Sequence, residues 1–312
     1  MRLQLPFCFH ELPPRRRPPS MHWQTSRFRI DLSRPQVMGI LNVTPDSFSD
    51  GGRHASLRDA LRRAEVLLQD GADILDIGGE STRPGSPAVP LEEELARVVP
   101  VVKEAVAWRV PISVDTYKPA VMQAVLDLGA DIVNDIWALR QPGALETVAR
   151  HGTCGVCLMH MHGEPQTMQV QPMEGDVVAA VQAFLGRQAD ALHGQGVARD
   201  RIVLDPGIGF GKTVEQNFAL LAQQARLATD GHAWLAGWSR KSSLGAVTGL
   251  PVQDRLVPSV AAALLSVERG ARIVRVHDVA ETFAALRIWC AARLPSEGSG
   301  ASRASGPARP QP

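Results

Sequence analysis

The chain has 312 residues, of which 45% are hydrophobic and 21% charged, and a formal net charge of +1. That length suits two ordinary domains or one α/β barrel of about 250 residues, and no apolar run approaches the roughly 18 residues of a membrane-spanning helix. The positive charge sits at the ends: Arg2, Arg15, Arg16 and Arg17 face one acid, Glu11, in the first twenty residues, and Arg303 and Arg309 face Glu297 after residue 294, which leaves the body mildly acidic, at −3. An acidic body argues against a nucleic-acid partner.

Residues 1–22 include the run LPPRRRPPS and read as a disordered extension, with Met21 as an alternative start. They lack the continuous apolar stretch of a secretory signal. The four cysteines, Cys8, Cys154, Cys157 and Cys290, are too few for a disulfide framework in a chain this long. A cytoplasmic location is the resulting expectation.

From residue 23 to 294 a strand–helix alternation recurs. Short apolar, β-branched runs at 37–43, 74–78, 112–115, 131–136, 155–159, 201–205, 233–238 and 272–276 suit strands buried on both faces of a parallel sheet. Between them the pattern predicts helices over 56–69, 91–107, 118–128, 143–150, 176–193, 215–228, 252–269 and 279–293. Several stop at a glycine, as at Gly71, Gly129, Gly152 and Gly270. Eight such units argue for an α/β fold, a single (β/α)8 TIM barrel. A doubly wound sheet is the alternative, but the G-x-G-x-x-G turn it would carry after the first strand is missing. Residues 295–312, PSEGSGASRASGPARPQP, read as a flexible tail.

Polar groups follow nearly every predicted strand: Asn42, Glu80 to Arg83, Asp115, Asn134 and Asp135, His160, Asp205, Ser239 to Lys241, and Arg275 with His277. In a barrel these ends meet on one face, where the active site of such folds lies. Any one of them could merely cap the next helix. A whole ring of them costs desolvation and does nothing for packing, so it predicts a site.

The residues around these ends form long motifs. Met38 to Gly52 reads MGILNVTPDSFSDGG and Gly71 to Gly85 reads GADILDIGGESTRPG; Ser113 to Thr116, Asn134 to Ile136, Asp205 to Lys212 (DPGIGFGK), Gly237 to Ser242 (GWSRKS) and Arg275 to Val279 (RVHDV) follow. Together they resemble the dihydropteroate synthases, from about residue 24 to 290. The resemblance implies a (β/α)8 barrel that joins para-aminobenzoate to hydroxymethyl-dihydropterin diphosphate in folate synthesis. It also implies a Mg²⁺ cofactor, sulfonamide competition and a homodimer.

By the same resemblance, Asp205 accepts the paired N–H donors of the pterin, Asn134 and Asp115 line its pocket, Lys241 donates to its carbonyl and Met159 covers a ring face. Arg275 and His277, two apart on one strand and so pointing the same way, take the diphosphate, and Asn42 is the Mg²⁺ ligand. Phe48, Asp50, Thr82, Arg83, Pro84, Phe210 and Ser242 border the aminobenzoate site. His162 stands where the family often has Gln. The implied chemistry is stepwise: diphosphate leaves first and the aniline nitrogen then attacks a cation that Asp115 helps to stabilise.

Two other signals are weaker. The run from Gly207 to Thr213, GIGFGKT, is one residue short of a nucleotide-binding P-loop. Cys154 and Cys157 with His160 and His162 suggest zinc, but on an extended strand Cys157 and His160 point to opposite faces. A folate-dependent methyltransferase barrel and a silent pterin-binding relative are the competing functions. The first should lack the 81–85 loop, the 239–242 run and the Arg275/His277 pair.

Overall fold

The computed structural model describes residues 21–44, 52–81, 86–163, 168, 172–227 and 231–293. Of the extension expected over 1–22, residues 1–20 lie outside the described residues, but His22 belongs to the first strand; the tail expected over 295–312 lies outside them, as do Phe48, Asp50, Thr82, Arg83 and Pro84. The chain opens with a hairpin, β1 (His22–Gln24) and β2 (Arg29–Asp31). Eight strands follow: β3 (Gln36–Asn42), β4 (Ile74–Gly78), β5 (Ile112–Asp115), β6 (Ile132–Asp135), β7 (Gly155–Met159), β8 (Ile202–Asp205), β9 (Ala233–Ala236) and β10 (Ile273–Val276). They pair in parallel and in sequence, and β10 bonds to both β9 and β3, which closes the barrel.

The helices are α1 (Gly52–Gln69), α2 (Leu91–Ala105), α3 (Pro119–Asp127), α4 (Ala144–His151), α5 (Val177–Gly194), α6 (Val214–Ala222), α7 (Gln224–Leu227), α8 (Ser242–Thr248), α9 (Leu256–Glu268) and α10 (Val279–Ala291). Strands buried on both faces explain the unbroken apolar runs. Their outward residues, such as Val37, Leu75, Val114 and Val274, pack with Ala60, Val101, Val121 and Leu286 of the helix layer. Local signals set several starts: Asp176 caps α5 by accepting from the amides of Val178 and Ala179. Thr213 and Gln216 form a reciprocal capping box at α6.

Four details differ from the sequence reading. The helix expected over 215–228 divides at Gln223 into α6 and α7, and the one expected over 252–269 opens as a 3-10 turn, Val252–Asp254, before α9. Helix α8 was not foreseen, because its seven residues are too few to establish a periodicity. The hairpin was also missed, and it decides what fills the barrel's lower end. Trp23 is fully buried there against Met38, Ile74, Ile132, Cys157, Val203 and Ile273, and its indole N–H donates to Arg201 O at 3.0 Å.

An ion pair fastens this plug. Asp131 Oδ1 accepts from the backbone N and Nε of Arg27 at 3.1 and 3.0 Å, and Oδ2 accepts from Arg27 Nη2 at 2.5 Å and from Ile112 N at 2.9 Å. Asp131 is wholly buried while Arg27 stays 32% exposed. Removing the buried acceptor strands its donors. We therefore expect Asp131→Ala to cost about 2–3 kcal/mol, below the full value of a buried pair because Arg27 is partly wet. Calorimetry should show Tm falling by roughly 5–10 °C, with ligand affinity at the opposite face unchanged within about twofold.

Candidate active site

A cavity of about 310 Å3 opens at the C-terminal ends of the strands, a size suited to a small heterocyclic ligand. Asn42, Asp115, Asn134, Met159, Asp205, Phe210, Lys241, Ser242, Arg275 and His277 all line it. The chain thus brings together every described residue that the motifs single out, from strands far apart in sequence. Glu80, Ile136, Met168, Ile208, Ser239, Arg240 and Arg255 share the lining.

Two strand-end residues turn away. Asp135 points outward, where its carboxylate accepts the amides of Trp137 and Leu139, each at 2.7 Å. Burial pushes its carboxyl up to about 7. His160 packs edge-on against Phe184 of α5, with ring centroids 4.9 Å apart. Burial, with Lys212 and Arg140 nearby, drives its imidazole down to about 2. The period-two rule explains both: Asn134 and Met159 face the cavity, so their immediate neighbours do not.

The floor is a buried ionic cluster. Arg275 Nε donates to Asp76 Oδ2 and Nη2 to Asp115 Oδ2, both at 2.6 Å. Burial alone would lower the guanidinium, but the two carboxylates outweigh it and hold it above its ordinary value. Burial pushes Asp115 up to about 7; Arg275 opposes the shift and Asp76 adds to it. Asp205 is likewise raised by burial, against the pull of the Gly207 amide, which donates to Oδ1 at 2.7 Å, and of Lys241.

That bond needs Gly207. Its φ of +66° is left-handed, and a Cβ there would lie 1.8 Å from His160 O. Behind it the Lys212 ammonium donates to the carbonyls of His160, Gly207 and Phe210 at 3.2, 2.8 and 3.0 Å. Lys212 therefore braces this loop, and the P-loop-like run is structural. Buried Cys154 and Cys157 pack in separate apolar clusters, and the described residues hold no three-membered His, Cys, Asp or Glu group able to bind a metal.

The cationic side comes from the loop after β9 and the end of β10. Lys241 Nζ lies 4.2 Å from the centroid of Phe210. Ser239 Oγ bonds His277 Nδ1 at 3.0 Å and accepts the His277 amide at 3.1 Å, which fixes the ring. Arg240 adopts a left-handed φ of +59°, a strained turn that Ser259 Oγ supports by accepting its amide at 2.9 Å. At the rim, the Lys118 ammonium bridges Glu80 and Glu94, and Tyr117 donates to Glu80 at 3.0 Å. The two carboxylates outweigh the effect of burial and raise the Lys118 ammonium.

Asp76 was missed by the sequence reading, which looked only at residues following each strand. It lies mid-strand in β4, two residues from Gly78 and Ile74, and is fully buried. An acid inside an otherwise apolar strand was the available signal.

The pterin-binding enzyme family matches residues 38–277. A dihydropteroate synthase of Neisseria meningitidis serogroup B is 51% identical over 273 residues, covering 86% of this chain and 96% of the relative. Among solved structures, the dihydropteroate synthase of Burkholderia cenocepacia in complex with 7,8-dihydropteroate is 56% identical, with a TM-score of 0.81 over 88% of this chain and 97% of that one. That of Yersinia pestis with a sulfonamide drug is 47% identical, with a TM-score of 0.83 over 88% and 99%. With the barrel, the motif residues around one cavity and these matches in agreement, the chain belongs to the dihydropteroate synthase family of pterin-binding enzymes.

Proposed function

We propose that this chain condenses para-aminobenzoate with hydroxymethyl-dihydropterin diphosphate, giving dihydropteroate and diphosphate in folate biosynthesis. The observation that carries the reading is the gathering of ten motif residues around one cavity with an acidic floor and a cationic flank. Carboxylates and an amide oxygen suit a pterin, whose amino group and ring N–H are adjacent donors; Lys241, Arg275 and His277 suit its carbonyl and the phosphoryl oxygens. Met159 supplies an apolar face for the ring, and Phe210 and Ser242 border the second substrate. Phe48, Asp50, Thr82, Arg83 and Pro84 complete that site in this reading. The loop after β4, the 239–242 run and the Arg275/His277 pair favour this reaction over methyl transfer.

In the proposed chemistry the bond between the pterin methylene carbon and the diphosphate oxygen breaks first, and its electron pair leaves with the diphosphate. The aniline lone pair then forms the new carbon–nitrogen bond, and the nitrogen gives up a proton to water. An aromatic amine is already neutral at pH 7, so the protein must stabilise charge more than move protons. Lys241, Arg275 and His277 draw off the leaving charge; Asp115 faces the cationic carbon.

Asn42 is the proposed Mg²⁺ ligand. The fit is sound: its amide oxygen is a hard donor lining the same cavity, and Mg²⁺ keeps several waters and readily takes phosphate oxygens. When bound, the ion would neutralise charge on the diphosphate. A cytoplasmic setting is supported by Cys154, Cys157 and Cys290, all free thiols, and no helix among the described residues is long and apolar enough to cross a membrane.

Mixing the two substrates with the purified protein and assaying diphosphate tests the reading directly. We expect sustained turnover to dihydropteroate and diphosphate that needs both substrates and falls on chelation of Mg²⁺; pterin binding without turnover would favour the silent relative.

Asp115 predicts a pH dependence. Its carboxyl, raised to about 7, must ionise to face a cation, so kcat/KM should rise with pH to a plateau above about 7. Stability should run the other way. Between the ordinary carboxylate range and 7 the folded chain holds a proton that the unfolded chain has lost, so the ligand-free protein loses stability as pH rises through that window. Asp115→Asn should remove both effects and lower kcat by about 100-fold; a near-normal kcat with an unchanged acid limb would exclude the role.

We also propose a homodimer. Val257, Leu265 and Ile288 are 74, 44 and 73% exposed on the neighbouring helices α9 and α10, and exposed apolar side chains suit a self-complementary contact. Light scattering of the wild type should give twice the chain mass, and Leu265→Glu with Ile288→Glu should halve it.

A further inference from the structure

Asp76 lies beneath the cavity floor, fully buried, and is not part of the lining. Three donors converge on it: Ser113 Oγ at 2.6 Å on Oδ1, and on Oδ2 Arg275 Nε at 2.6 Å and Asn134 Nδ2 at 3.1 Å. A carboxylate oxygen only accepts, so the side of Asn134 that faces Asp76 must be its NH2 group. The carbonyl of Asn134 is thereby left for the cavity, which Asn134 lines.

We propose that Asp76 is a positioning residue that sets the hydrogen-bonding polarity of the Asn134 amide at the cavity floor, turning its carbonyl upward so that Asn134 accepts from the ligand and does not donate to it. The proposal rests on the pterin reading above and deepens it. Asn134 on β6 sits between Asp115 on β5 and, beyond β7, Asp205 on β8, and all three line the cavity. A ligand edge that meets these acceptors must carry N–H donors. A ring with oxygen in place of the amino group would set lone pair against lone pair, and the unpaired buried groups would weaken its binding steeply.

The consequence depends on the acceptor at position 76. In Asp76→Asn the amide oxygen can take the Oδ2 position and still accept from both Arg275 and Asn134, while its NH2 turns to the Ser113 hydroxyl, which can accept. In Asp76→Leu no acceptor remains beneath Asn134, and its amide loses the bond that fixes its orientation.

The test compares binding, by calorimetry, of 6-hydroxymethylpterin and its 2-oxo analogue, 6-hydroxymethyllumazine. The wild type should favour the pterin by about 100-fold or more. Asp76→Leu should cut that preference to below about tenfold, through weaker pterin binding and unchanged or tighter lumazine binding, whereas Asp76→Asn should keep it. Equal weakening of both ligands by Asp76→Leu, or a lower Tm with the ratio preserved, would mark Asp76 as merely structural and overturn the proposal. Asn134→Leu supplies a second test should Asp76→Leu not fold, because it keeps the Arg275–Asp76 pair and removes only the acceptor. It should lose the same preference, and a retained preference would equally overturn the idea. If the wild type binds neither ligand, it is the pterin reading that fails; if it binds the pterin and the two leucine variants keep its selectivity, only the role of Asp76 fails.

Discussion

Arg275 between Asp76 and Asp115 is the interaction on which the site depends. The arginine is on the last strand of the barrel and its partners on the second and third, so contacts separated by 199 and 160 residues must all be made. A guanidinium and two carboxylates enclosed in an apolar barrel carry a heavy desolvation cost. The two short bonds offset part of it, and the strain that remains appears in Asp115, whose proton is held far more tightly than an ordinary carboxyl's. A site meant only to hold the barrel shut would use apolar side chains instead. The cluster has the form of preorganised electrostatics: charges kept in place before any ligand arrives, close to where charge will develop.

The rest of the site divides its labour around that cluster. Strand ends β5, β6 and β8 present oxygen acceptors, whereas the β9 loop and β10 present cations. Several groups are held by neighbours that do not themselves meet the cavity: Ser259 supports the strained Arg240 turn, Lys212 braces the loop after Asp205, and Glu94 shares Lys118 with Glu80. Ser239 does the same for His277 from within the lining. Rigid strands supply the precision, and the glycine-rich connections let backbone approach closely where a side chain would collide, as at Gly207.

Much of this was legible before any coordinates. Doubly buried parallel strands leave unbroken apolar runs, and helix-stopping glycines separate them, so the eight units could be counted. The motif residues could be placed at strand ends, and those within the described residues do meet. Legibility failed where meaning is purely three-dimensional. Residues 22–31 are too short to show a period, and Trp23 is a plug only because eight strands leave a hole of its size. His160 and Asp135 share the strand-end position of true lining residues, and only the phase of the pleat separates them. Asp76 was passed over because its importance lies in what it bonds on β5, β6 and β10.

By itself, then, the order of residues determined the alternation, the closed barrel as its simplest solution, and the set of side chains able to do the chemistry, because periodicity and residue type are local properties of a chain. Tertiary structure alone decided which of those side chains face inward, which carboxylate shares which cation, and which proton affinities are displaced. Those depend on distances of a few ångströms and on exclusion from water, and neither exists until strands hundreds of residues apart lie side by side.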